Sequence, residues 1–465
     1  MRGIMIESSD GGNRQPRIAR QPRIALITTE LAVGGAEQCL TRLALGLARR
    51  GYQPSVYSLL PPPAAPRDRL VRQLTEARIP LHFLELRRAT QFPRGVRLLT
   101  ELLERQQPSL IQSFLFHANI LTTFAVRRLR RRTRFTSVDR SEPLAAADST
   151  AASPPALGVK HICGWRVADQ RPCRAWLEAR LTRNVDHLVC VSQSVANQAR
   201  RLGVPPTRIS VIPNGVDTSL FAYEPTPARR NEPATEAGKL ATTTSEPAVS
   251  AVQPTVESTF EPTVEPTFEP TVEPAVQRPR LAKVEEPPPT LLAIGRLDPQ
   301  KGFDWLLQDA RRLLDALPQF RLEIVGEGPE RPVLAERIVA TGLQGRVELV
   351  GWQNDIPRRL RTATLVLIPS RWEGMPNVLL EAMASGRAVV ATRVEGVEEL
   401  LGPEMAAQST EVFNLSGFID RAIELARDPI TRARLGAVNA HRVREQFSID
   451  AMVDAYEALY RRLAP

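Results

Sequence analysis

Short, continuous apolar runs alternate with helix-like segments along most of this 465-residue chain. The first run, R-I-A-L-I-T-T-E from Arg23, passes through a glycine turn into a segment with helical periodicity from Gln38 to Arg50. Runs that are apolar throughout are typical of strands buried on both faces, as in parallel sheets covered by helices. The alternation therefore predicts an α/β fold in which helices join parallel strands.

One segment of different composition interrupts this alternation. Residues 222–289 are dense in Pro, Thr and Glu and include the repeat E-P-T-V-E-P-T-F-E-P-T-V-E-P-A-V, which cannot bury a core. Lengthening a loop from about 10 to about 70 residues costs only about 1.7 kcal/mol of closure free energy, so two docked domains tolerate such a spacer. We expect a disordered linker here; recruitment of a partner through the repeat is the alternative.

The linker divides the chain into two predicted domains. Residues 22–221 are expected to form one Rossmann-like domain and residues 290–446 another, after a polar, disordered tail at residues 1–21. The closing segment, residues 447–463, has one apolar helical face and needs a surface to cover. The residues of that face are Ile449, Met452, Val453, Tyr456, Leu459 and Leu463.

The net charge of +10 fits an anionic partner such as a nucleotide or a phospholipid surface. Nucleic acid is a poorer match, because aromatic residues make up only 5% of the chain and no zinc-finger, RRM or helix-turn-helix pattern occurs. No apolar run reaches the roughly 18–20 residues of a membrane-spanning helix, and the start lacks the hydrophobic region of a signal peptide. We expect a cytoplasmic protein that binds no nucleic acid.

Cysteine and histidine show no pattern of a disulfide or metal site. The four cysteines, Cys39, Cys163, Cys173 and Cys190, are widely and irregularly spaced, and the five histidines do not cluster. We expect buried thiols and no bound metal.

Two carboxylates lie eight positions apart in the stretch P-S-R-W-E-G-M-P-N-V-L-L-E-A-M-A-S-G, residues 369–386. Glu373 follows a predicted strand over residues 365–368, and Glu381 lies within a predicted helix from about Asn377 to Ser385, with Pro376 suited to its first position. The free N–H groups at the start of this helix suit an anion, and Glu381 is placed to accept hydrogen bonds from two hydroxyls. The alternative is an acidic first turn that stabilises the helix dipole by about 0.3–1 kcal/mol.

Further candidate groups follow predicted strands, which is where open parallel sheets bind their ligands. They are Gly34 and Gly35 in the first strand-to-helix turn, His117 after a later strand, and Arg296, Lys301 and Gly326 in the second domain. The planar guanidinium of Arg296 and the compact charge of Lys301 suit a diphosphate. The alternatives are solvated surface charges for the two basic residues and a core or helix-capping role for His117.

These features occur in the order found in a known family. The motifs are G-G-A-E, S-F-L-F-H-A-N-I, V-S-Q-S-V-A, V-I-P-N-G-V-D, G-R-L-D-P-Q-K-G-F-D, V-G-E-G-P-E and E-G-M-P-N-V-L-L-E-A-M-A-S-G-R-A-V-V-A-T. Together they resemble the family 4 retaining glycosyltransferases of GT-B fold, most of all the members that build lipopolysaccharide, capsule or exopolysaccharide. The resemblance implies two Rossmann-like domains facing across a cleft, with the C-terminal helix crossing back onto the first.

The resemblance also implies a role for each matching residue. Glu373 would hold hydroxyls of the donor sugar and Glu381 the ribose diol, and His117 would lie beside the sugar near the reacting carbon. Arg296 and Lys301 would neutralise the diphosphate leaving group. The other donor-binding residues would be Gly34, Gly35, Gly326, Gly351, Trp352, Gly374, Met375, Asn377 and Val378.

Enzymes of the resembled family need no metal, and this chain has neither a D-x-D motif beside a strand end nor a convincing catalytic base. Positive groups would lower the barrier by stabilising charge on the departing nucleotide. Departing phosphate and incoming hydroxyl would share one face of the sugar, so the product would keep the anomeric configuration. We expect no cofactor besides the nucleotide-sugar substrate.

Three residues bear on the fit to the family pattern. Arg387 stands where Pro is usual and Glu395 where a Gly pair is common, whereas Glu399 matches the usual acidic position. An extra carboxylate at Glu395 would be unfavourable near a phosphate, which argues against the phosphate contact that this loop makes in the family.

Six arginines crowd the end of a predicted first-domain helix: Arg127, Arg128, Arg130, Arg131, Arg132 and Arg134. Basic residues near anionic lipid contribute about 1 kcal/mol each, and lipid-linked acceptors are common in the resembled subgroup. We expect peripheral contact with the inner face of the plasma membrane. The alternative is favourable charge at a helix C-terminus.

The combined prediction is a retaining glycosyltransferase of the hexosyltransferase type. It would move a sugar from a nucleotide-diphosphate-sugar donor to a glycan or lipid-linked acceptor during synthesis of a cell-surface polysaccharide. One alternative is a sugar-nucleotide epimerase of the same fold, which would need acid and base carboxylates at the sugar C2. Another is a catalytically silent nucleotide-sugar-binding module that recruits a partner through its linker.

Overall fold

A computed structural model describes residues 22–138, 158–167, 171–222 and 288–464 of the chain. The predicted tail at residues 1–21 and the predicted linker, apart from residues 222, 288 and 289, lie outside the described residues. The two sheets described below belong to one compact unit of the chain.

Seven parallel strands form the first sheet, in the order β3-β2-β1-β4-β5-β6-β7. They are β1 (Arg23–Thr28), β2 (Gln53–Ser58), β3 (Leu81–Phe83), β4 (Leu110–Phe114), β5 (Lys160–Trp165), β6 (His187–Cys190) and β7 (Ile209–Val211). All five residues of β4 and all but the first of β1 are buried, because helices cover both faces of the sheet. Ile24 of β1 lies in register with Leu110 of β4.

Six helices connect these strands within the described residues. They are α1 (Gly35–Arg49), α2 (Arg69–Glu76), α3 (Phe92–Gln106), α4 (Phe116–Val138), α5 (Pro172–Thr182) and α6 (Gln193–Arg201). Leu40, Leu43 and Leu47 of α1 pack on one face of the sheet. Leu99 of α3 and Leu121 of α4 pack on the other.

Six parallel strands form the second sheet, in the order β10-β9-β8-β11-β12-β13. They are β8 (Thr290–Ile294), β9 (Arg321–Val325), β10 (Val347–Gly351), β11 (Leu365–Ile368), β12 (Val389–Thr392) and β13 (Ser409–Thr410). Both sheets thus have the strand order 3-2-1-4-5-6 of doubly wound nucleotide-binding folds, with one strand added to the first. This confirms the predicted pair of Rossmann-like parallel sheets.

The remaining helices of the described chain surround the second sheet or follow it. They are α7 (Phe303–Leu306), α8 (Ala310–Ala316), α9 (Arg331–Ala340), α10 (Ile356–Thr362), α11 (Asn377–Ala384), α12 (Val397–Leu401), α13 (Met405–Gln408), α14 (Leu415–Arg427), α15 (Pro429–Gln446) and α16 (Ile449–Leu463). The predicted strand over residues 365–368 is confirmed without a shift.

The C-terminal helix α16 crosses back onto the first domain, as predicted. Ser448 caps it by accepting a hydrogen bond from the N–H of Ala451 at 3.1 Å. Val453 packs so closely against Gly46 of α1 that a Cβ at Gly46 would lie 2.5 Å from it. Val453 and Tyr456 are fully buried, and burial of such side chains contributes about 1.5–3 kcal/mol each.

Three local details differ from the sequence-based expectations. Helix α1 begins at Gly35 instead of Gln38, and α4 spans Phe116–Val138 instead of the residues 120–131 that periodicity predicts. In both cases the first turn carries residues outside the apolar pattern. Cys173 is exposed near the start of α5, whereas the other three cysteines are buried as expected.

Candidate active site

The winding of each sheet reverses between two neighbouring strands, β1 and β4 in the first and β8 and β11 in the second. Ligands of doubly wound sheets bind outside the carboxyl ends of the strands at this point. In the second sheet the connection after β8 carries Arg296 and Lys301, and the connection after β11 carries Glu373. In the first sheet the connection after β1 carries Gly34, and Gly35 begins α1.

Glu373 and Lys301 form a nearly buried ion pair at the carboxyl edge of the second sheet. The distance from Lys301 Nζ to Glu373 Oε1 is 2.5 Å, and only 6% of Glu373 is exposed. Ser370 Oγ donates to Glu373 Oε1 at 2.9 Å, and Gln300 Nε2 donates to Oε2 at 3.2 Å. Both carboxylate oxygens of Glu373 are therefore held by groups of its own domain.

Gly302 makes this pairing possible through its backbone. Lys301 ends a short 3-10 turn, and Gly302 adopts a left-handed conformation with φ of 67° before α7 begins. A Cβ at Gly302 would lie 2.1 Å from the carbonyl oxygen of Pro369, so only glycine fits. The turn after β8 is thereby packed directly against the loop that carries Glu373.

Arg296 is separated from this pair. Its side chain is 68% exposed and forms an ion pair with Asp298, whose own side chain is nearly buried. The two cations predicted to clamp a diphosphate are therefore held by different carboxylates.

Glu381 lies in α11, and only 7% of it is exposed. Its Oε1 is 3.5 Å from Nη2 of Arg42, a residue of α1 in the first domain. Arg42 is itself anchored, because it donates to the carbonyl of Gly215 at 2.9 Å and to Gln38 Oε1 at 3.0 Å. Burial raises the pKa of Glu381, and the charge of Arg42 opposes that rise.

Asn214 joins the first domain to the start of α11. Its Nδ2 donates to Asn377 Oδ1 at 2.7 Å and to the carbonyl of Met375 at 3.3 Å. Asn377 Nδ2 in turn donates to the carbonyl of Gly35 at 3.0 Å. Pro376 occupies the N-cap position of α11, not the first helical position expected from the sequence, and the helix ends at Ala384.

Gly374 lies against the first domain with no room for a side chain. A Cβ on Gly374 would lie 2.0 Å from the carbonyl oxygen of Arg166, which follows β5 of the first sheet. The guanidinium of Arg166 is buried, donating to Tyr456 Oη at 3.2 Å and to Cys39 Sγ at 2.7 Å, and also to Asn214 Oδ1. The carboxyl edges of the two sheets therefore face each other around Gly374.

The residues that depart from the family pattern, and Glu399, have defined partners. Glu395 Oε2 accepts a hydrogen bond from the N–H of Glu373 at 3.1 Å, so this carboxylate already binds the backbone of the loop that carries Glu373. Glu399 Oε1 accepts from the N–H of Gln193 at 2.5 Å, at the start of α6 in the first domain. Arg387 donates to the carbonyl of Ala363 at 3.1 Å.

Gly326 and Gly351 end neighbouring strands and lie together, because the N–H of Gly326 donates to the carbonyl of Gly351 at 3.0 Å. Trp352 follows, and its Nε1 donates to Asn354 Oδ1 at 3.3 Å. Met375 is buried at the domain contact, and Val378 is half-buried in the first turn of α11.

His117 is the second residue of α4, with its ring against Phe116 at a centroid distance of 5.3 Å. Partial burial lowers its pKa, helped by the charges of Arg174 and Arg171, so the imidazole is neutral at pH 7. Phe116, Arg174 and Arg171 all belong to the first domain.

Sequence reasoning missed the first-domain groups that meet the two carboxylates and the helix α11. Arg42 and Arg166 have no local signature, since Arg42 pairs with Glu381 and Arg166 with Cys39, each more than 100 residues away in the chain. Asn214 lies in V-I-P-N-G-V-D, a motif used for the resemblance, but its contact with Asn377 needed the fold.

The described residues contain neither a candidate metal site nor a candidate membrane span. No group of three or more His, Cys, Asp or Glu side chains is placed to hold a metal ion. No helix in that part of the chain is long and apolar enough to cross a membrane.

Two family matches cover most of the chain. Residues 33–220 match the family described as Glycosyltransferase Family 4, and residues 288–428 match the family described as Glycosyl transferases group 1. The chain belongs to the family 4 glycosyltransferases. The first match falls in the first sheet and its helices, and the second covers the sheet that carries Glu373 and Glu381.

Curated relatives of this family 4 chain are named glycosyltransferases. LpsE of Rhizobium meliloti, a lipopolysaccharide core biosynthesis glycosyltransferase, is 31% identical over 177 residues, which cover 38% of this chain and 51% of LpsE. A UDP-Gal:alpha-D-GlcNAc-diphosphoundecaprenol alpha-1,3-galactosyltransferase of Escherichia coli is 24% identical over 289 residues, covering 61% of this chain and 62% of that protein. The chain spans about half the length of the curated relatives it matches.

Solved structures show the same fold as this family 4 chain. Anabaena Alr3699/HepE, crystallised with UDP-glucose, has a TM-score of 0.65 at 17% identity and covers 95% of this chain and 100% of its own. The lipopolysaccharide outer core galactosyltransferase WaaB in its apo form has a TM-score of 0.58 at 14% identity and covers 95% of this chain and 99% of its own. The predicted GT-B fold is confirmed.

Proposed function

We propose that this protein is a retaining glycosyltransferase that moves a sugar from a nucleotide-diphosphate donor to a glycan or lipid-linked acceptor in cell-surface polysaccharide synthesis. The observation that carries the proposal is the Glu373–Lys301 pair at the switch point of the second sheet, with Glu381 eight residues further on. The names of the curated relatives, which include lipopolysaccharide core glycosyltransferases, support the choice of product.

In this proposal the two carboxylates bind different ends of the donor. Glu373 accepts hydrogen bonds from the sugar hydroxyls, and Glu381 accepts from the ribose hydroxyls. The backbone N–H groups of Asn377 and Val378, at the start of α11, face the phosphates, with Gly374 and Met375 beside the sugar. Those N–H groups have no partner within the helix, which makes them available to an anion.

The two cations act on the leaving group. Glu373 compensates the charge of Lys301, whereas Arg296 is mostly exposed and would exchange its ion pair with Asp298 for a diphosphate. A diphosphate placed between Lys301 and Arg296 gains two positive neighbours, which stabilise the charge that builds up as the bond to the sugar breaks. Departure and attack on one face of the sugar then retain the anomeric configuration.

The remaining predicted residues line the ends of this donor. Gly326, Gly351 and Trp352 lie together at the carboxyl ends of β9 and β10 and are assigned to the base. Gly34 and Gly35 approach the diphosphate from the first domain. The neutral imidazole of His117 is assigned to the sugar.

We assign no metal to the reaction, because Lys301 and Arg296 supply the positive charge that a divalent cation would otherwise provide. Transfer should therefore proceed unchanged in excess EDTA. Loss of transfer in EDTA that Mg²⁺ or Mn²⁺ restores would contradict this assignment.

Peripheral contact with an anionic membrane belongs to the same proposal, since one relative is named for a diphosphoundecaprenol-linked substrate. Of the predicted arginines, Arg128 and Arg131 are exposed. Arg127 donates to a backbone carbonyl, Arg130 and Arg132 form ion pairs, and the side chain of Arg134 lies outside the described residues. The neighbouring helix α5 exposes 58% of Trp176 and 41% of Leu177.

Vesicle co-sedimentation tests this contact. The double variant Arg128→Gln, Arg131→Gln should bind phosphatidylglycerol vesicles about 30-fold more weakly than the unmodified protein, because each arginine near the surface contributes about 1 kcal/mol. The matched control, Arg358→Gln with Arg361→Gln on α10 of the second domain, should bind normally. Absence of vesicle binding by the unmodified protein would contradict the membrane proposal.

A nucleotide panel tests the central activity. UDP, GDP and ADP and their glucose or mannose conjugates should be screened by thermal shift, since ligand at about 100 times its dissociation constant adds about 2.7 kcal/mol of stability. No response would contradict donor binding and favour a silent module. With the responding sugar nucleotide, NMR of the product should show a retained anomeric configuration; an inverted product, or inversion at the sugar C2 without transfer, would contradict a retaining transferase.

A further inference from the structure

Glu37 is a buried carboxylic acid on the first-domain side of the candidate active site. It lies in the first turn of α1, two residues after Gly35, and only 6% of it is exposed. Its carboxylate folds over Gly34, where an added Cβ would lie 2.3 Å from Oε2. No side chain of another described residue hydrogen-bonds to it.

The charged groups around Glu37 come from three other segments. Glu30 lies after β1, Arg166 after β5, and Arg296 after β8 in the second domain. Burial raises the pKa of Glu37 to about 7, against a hydrogen bond from its own backbone N–H that lowers it. The negative charge of Glu30 adds to the rise, and the positive charges of Arg296 and Arg166 oppose it. Near neutral pH the group therefore exists in both protonation states.

The two protonation states have opposite consequences for an anion at this point. A carboxylate repels a diphosphate and itself interacts with the positive end of the helix dipole. A neutral carboxylic acid has one O–H donor and bears no charge. Because Glu37 lies over Gly34 in the first turn of α1, its protonation state changes the charge that an anion meets there.

We propose that Glu37 is a donor-binding residue that acts in its protonated form, donating its hydroxyl hydrogen to a phosphate oxygen. This inference rests on the proposed function, which brings the diphosphate to Gly34 and Gly35. Donor binding above neutral pH then takes up one proton from solvent, and no covalent bond changes. The affinity for donor falls as pH rises, about tenfold for each pH unit once the carboxyl group is ionised.

Titration calorimetry between pH 5.5 and 9 with an intact sugar nucleotide tests the inference. UDP-glucose, GDP-mannose and ADP-glucose are suitable probes, because their phosphates keep a constant charge across this range. The unmodified protein should bind about tenfold more weakly at pH 8.5 than at pH 7 and should take up close to one proton at the higher pH. Glu37→Gln, which donates a hydrogen bond without titrating, should bind equally well at both pH values and take up none.

The exposed Glu30 provides a matched control. Glu30→Gln removes a carboxylate near the same site but leaves Glu37 able to titrate, so it should keep the fall in affinity and shift it to lower pH. An unchanged pH dependence in Glu37→Gln, or a flat profile in the unmodified protein, would overturn the inference while leaving the proposed function standing. No binding of any probe at any pH would contradict both.

The ligand-free protein offers a second readout that does not depend on nucleotide binding. Because the folded-state pKa of Glu37 is raised above its ordinary value of 4.5 to about 7, the folded state holds the proton more tightly than the unfolded state. Stability from this group is present at low pH and is lost as pH rises through 7. The melting temperature of the unmodified protein should therefore fall relative to that of Glu37→Gln between pH 6 and 8. If the melting temperatures of the two proteins change in parallel with pH, Glu37 does not hold the proton that the inference requires.

Discussion

Glu373 and Glu381 lie on one stretch and are almost equally buried, with 6% and 7% exposed, but their partners lie on opposite sides of the active site. Glu373 is held within the second domain by Lys301, at 2.5 Å. Glu381 faces Arg42 of the first domain, at 3.5 Å. One carboxylate is therefore positioned by its own domain, and the other depends on how the two domains approach.

The difference gives the two carboxylates separate tasks in the proposed reaction. A donor sugar meets a carboxylate already oriented by three hydrogen-bonding neighbours, Lys301, Ser370 and Gln300. A ribose that binds Glu381 must share it with Arg42 or displace it. In the proposed reaction the sugar contact of Glu373 is thus set within the second domain, whereas the ribose contact of Glu381 depends on Arg42 of the first domain.

The largest effect is expected from breaking the pair within the second domain. Glu373→Ala and Lys301→Ala should each reduce transfer by about 10²–10³-fold or more, because removal of a preorganised group that stabilises the transition state costs that much. Circular dichroism and thermal melting should show that both variants fold. Near-normal turnover in either variant would contradict the assignment of this pair to catalysis.

A smaller effect is expected from breaking the pair between the domains. Arg42→Met leaves Glu381 without its cationic partner, so the KM for donor should rise by about tenfold. The value of kcat should change little, since Arg42 contacts no reacting atom. The loss of donor-binding free energy in the double variant Glu381→Gln, Arg42→Met should be smaller than the sum of the losses in the two single variants, because each removes the same interaction. Additive effects in this double-mutant cycle would show that the pair is not coupled.

The smallest effect is expected from the neutral link between the domains. Asn214→Ala removes hydrogen bonds to Asn377 and to the carbonyl of Met375. A typical hydrogen bond contributes about 0.5–1.5 kcal/mol, so donor affinity should fall about three- to tenfold. Asn197→Ala, on the exposed surface of α6, is the control and should be unchanged. An equally large fall in donor affinity in Asn197→Ala would show that the effect of Asn214→Ala is a general loss of stability.

The same comparison separates what could be predicted from sequence and what could not. The strand over residues 365–368, the turn before Lys301 and the start of α11 follow from apolar runs, glycine and proline, all of which act within a few residues. Glu373 and Lys301 could be placed together because both follow strands of one parallel sheet. Their assigned roles in transfer stay predictions.

The first-domain partners could not be predicted in this way. Arg42 is one of many arginines in a basic chain, and no local pattern distinguishes the one that faces Glu381 across 339 positions of sequence. Glu395 shows the converse problem: a carboxylate that looked unfavourable in the loop accepts a hydrogen bond from the N–H of Glu373. Contacts between domains depend on their relative placement, which periodicity and composition do not encode.

The most direct test compares a nucleotide with its sugar conjugate in two variants that differ from the native carboxylates by one atom. Binding of UDP and UDP-glucose, or the corresponding pair selected by the nucleotide panel, should be measured for Glu373→Gln and Glu381→Gln by titration calorimetry. The division of tasks predicts that Glu381→Gln weakens both ligands about equally, whereas Glu373→Gln weakens only the sugar conjugate, with UDP bound at least as tightly because Lys301 is released. Equal weakening of both ligands by Glu373→Gln, or unchanged UDP binding in Glu381→Gln, would contradict it.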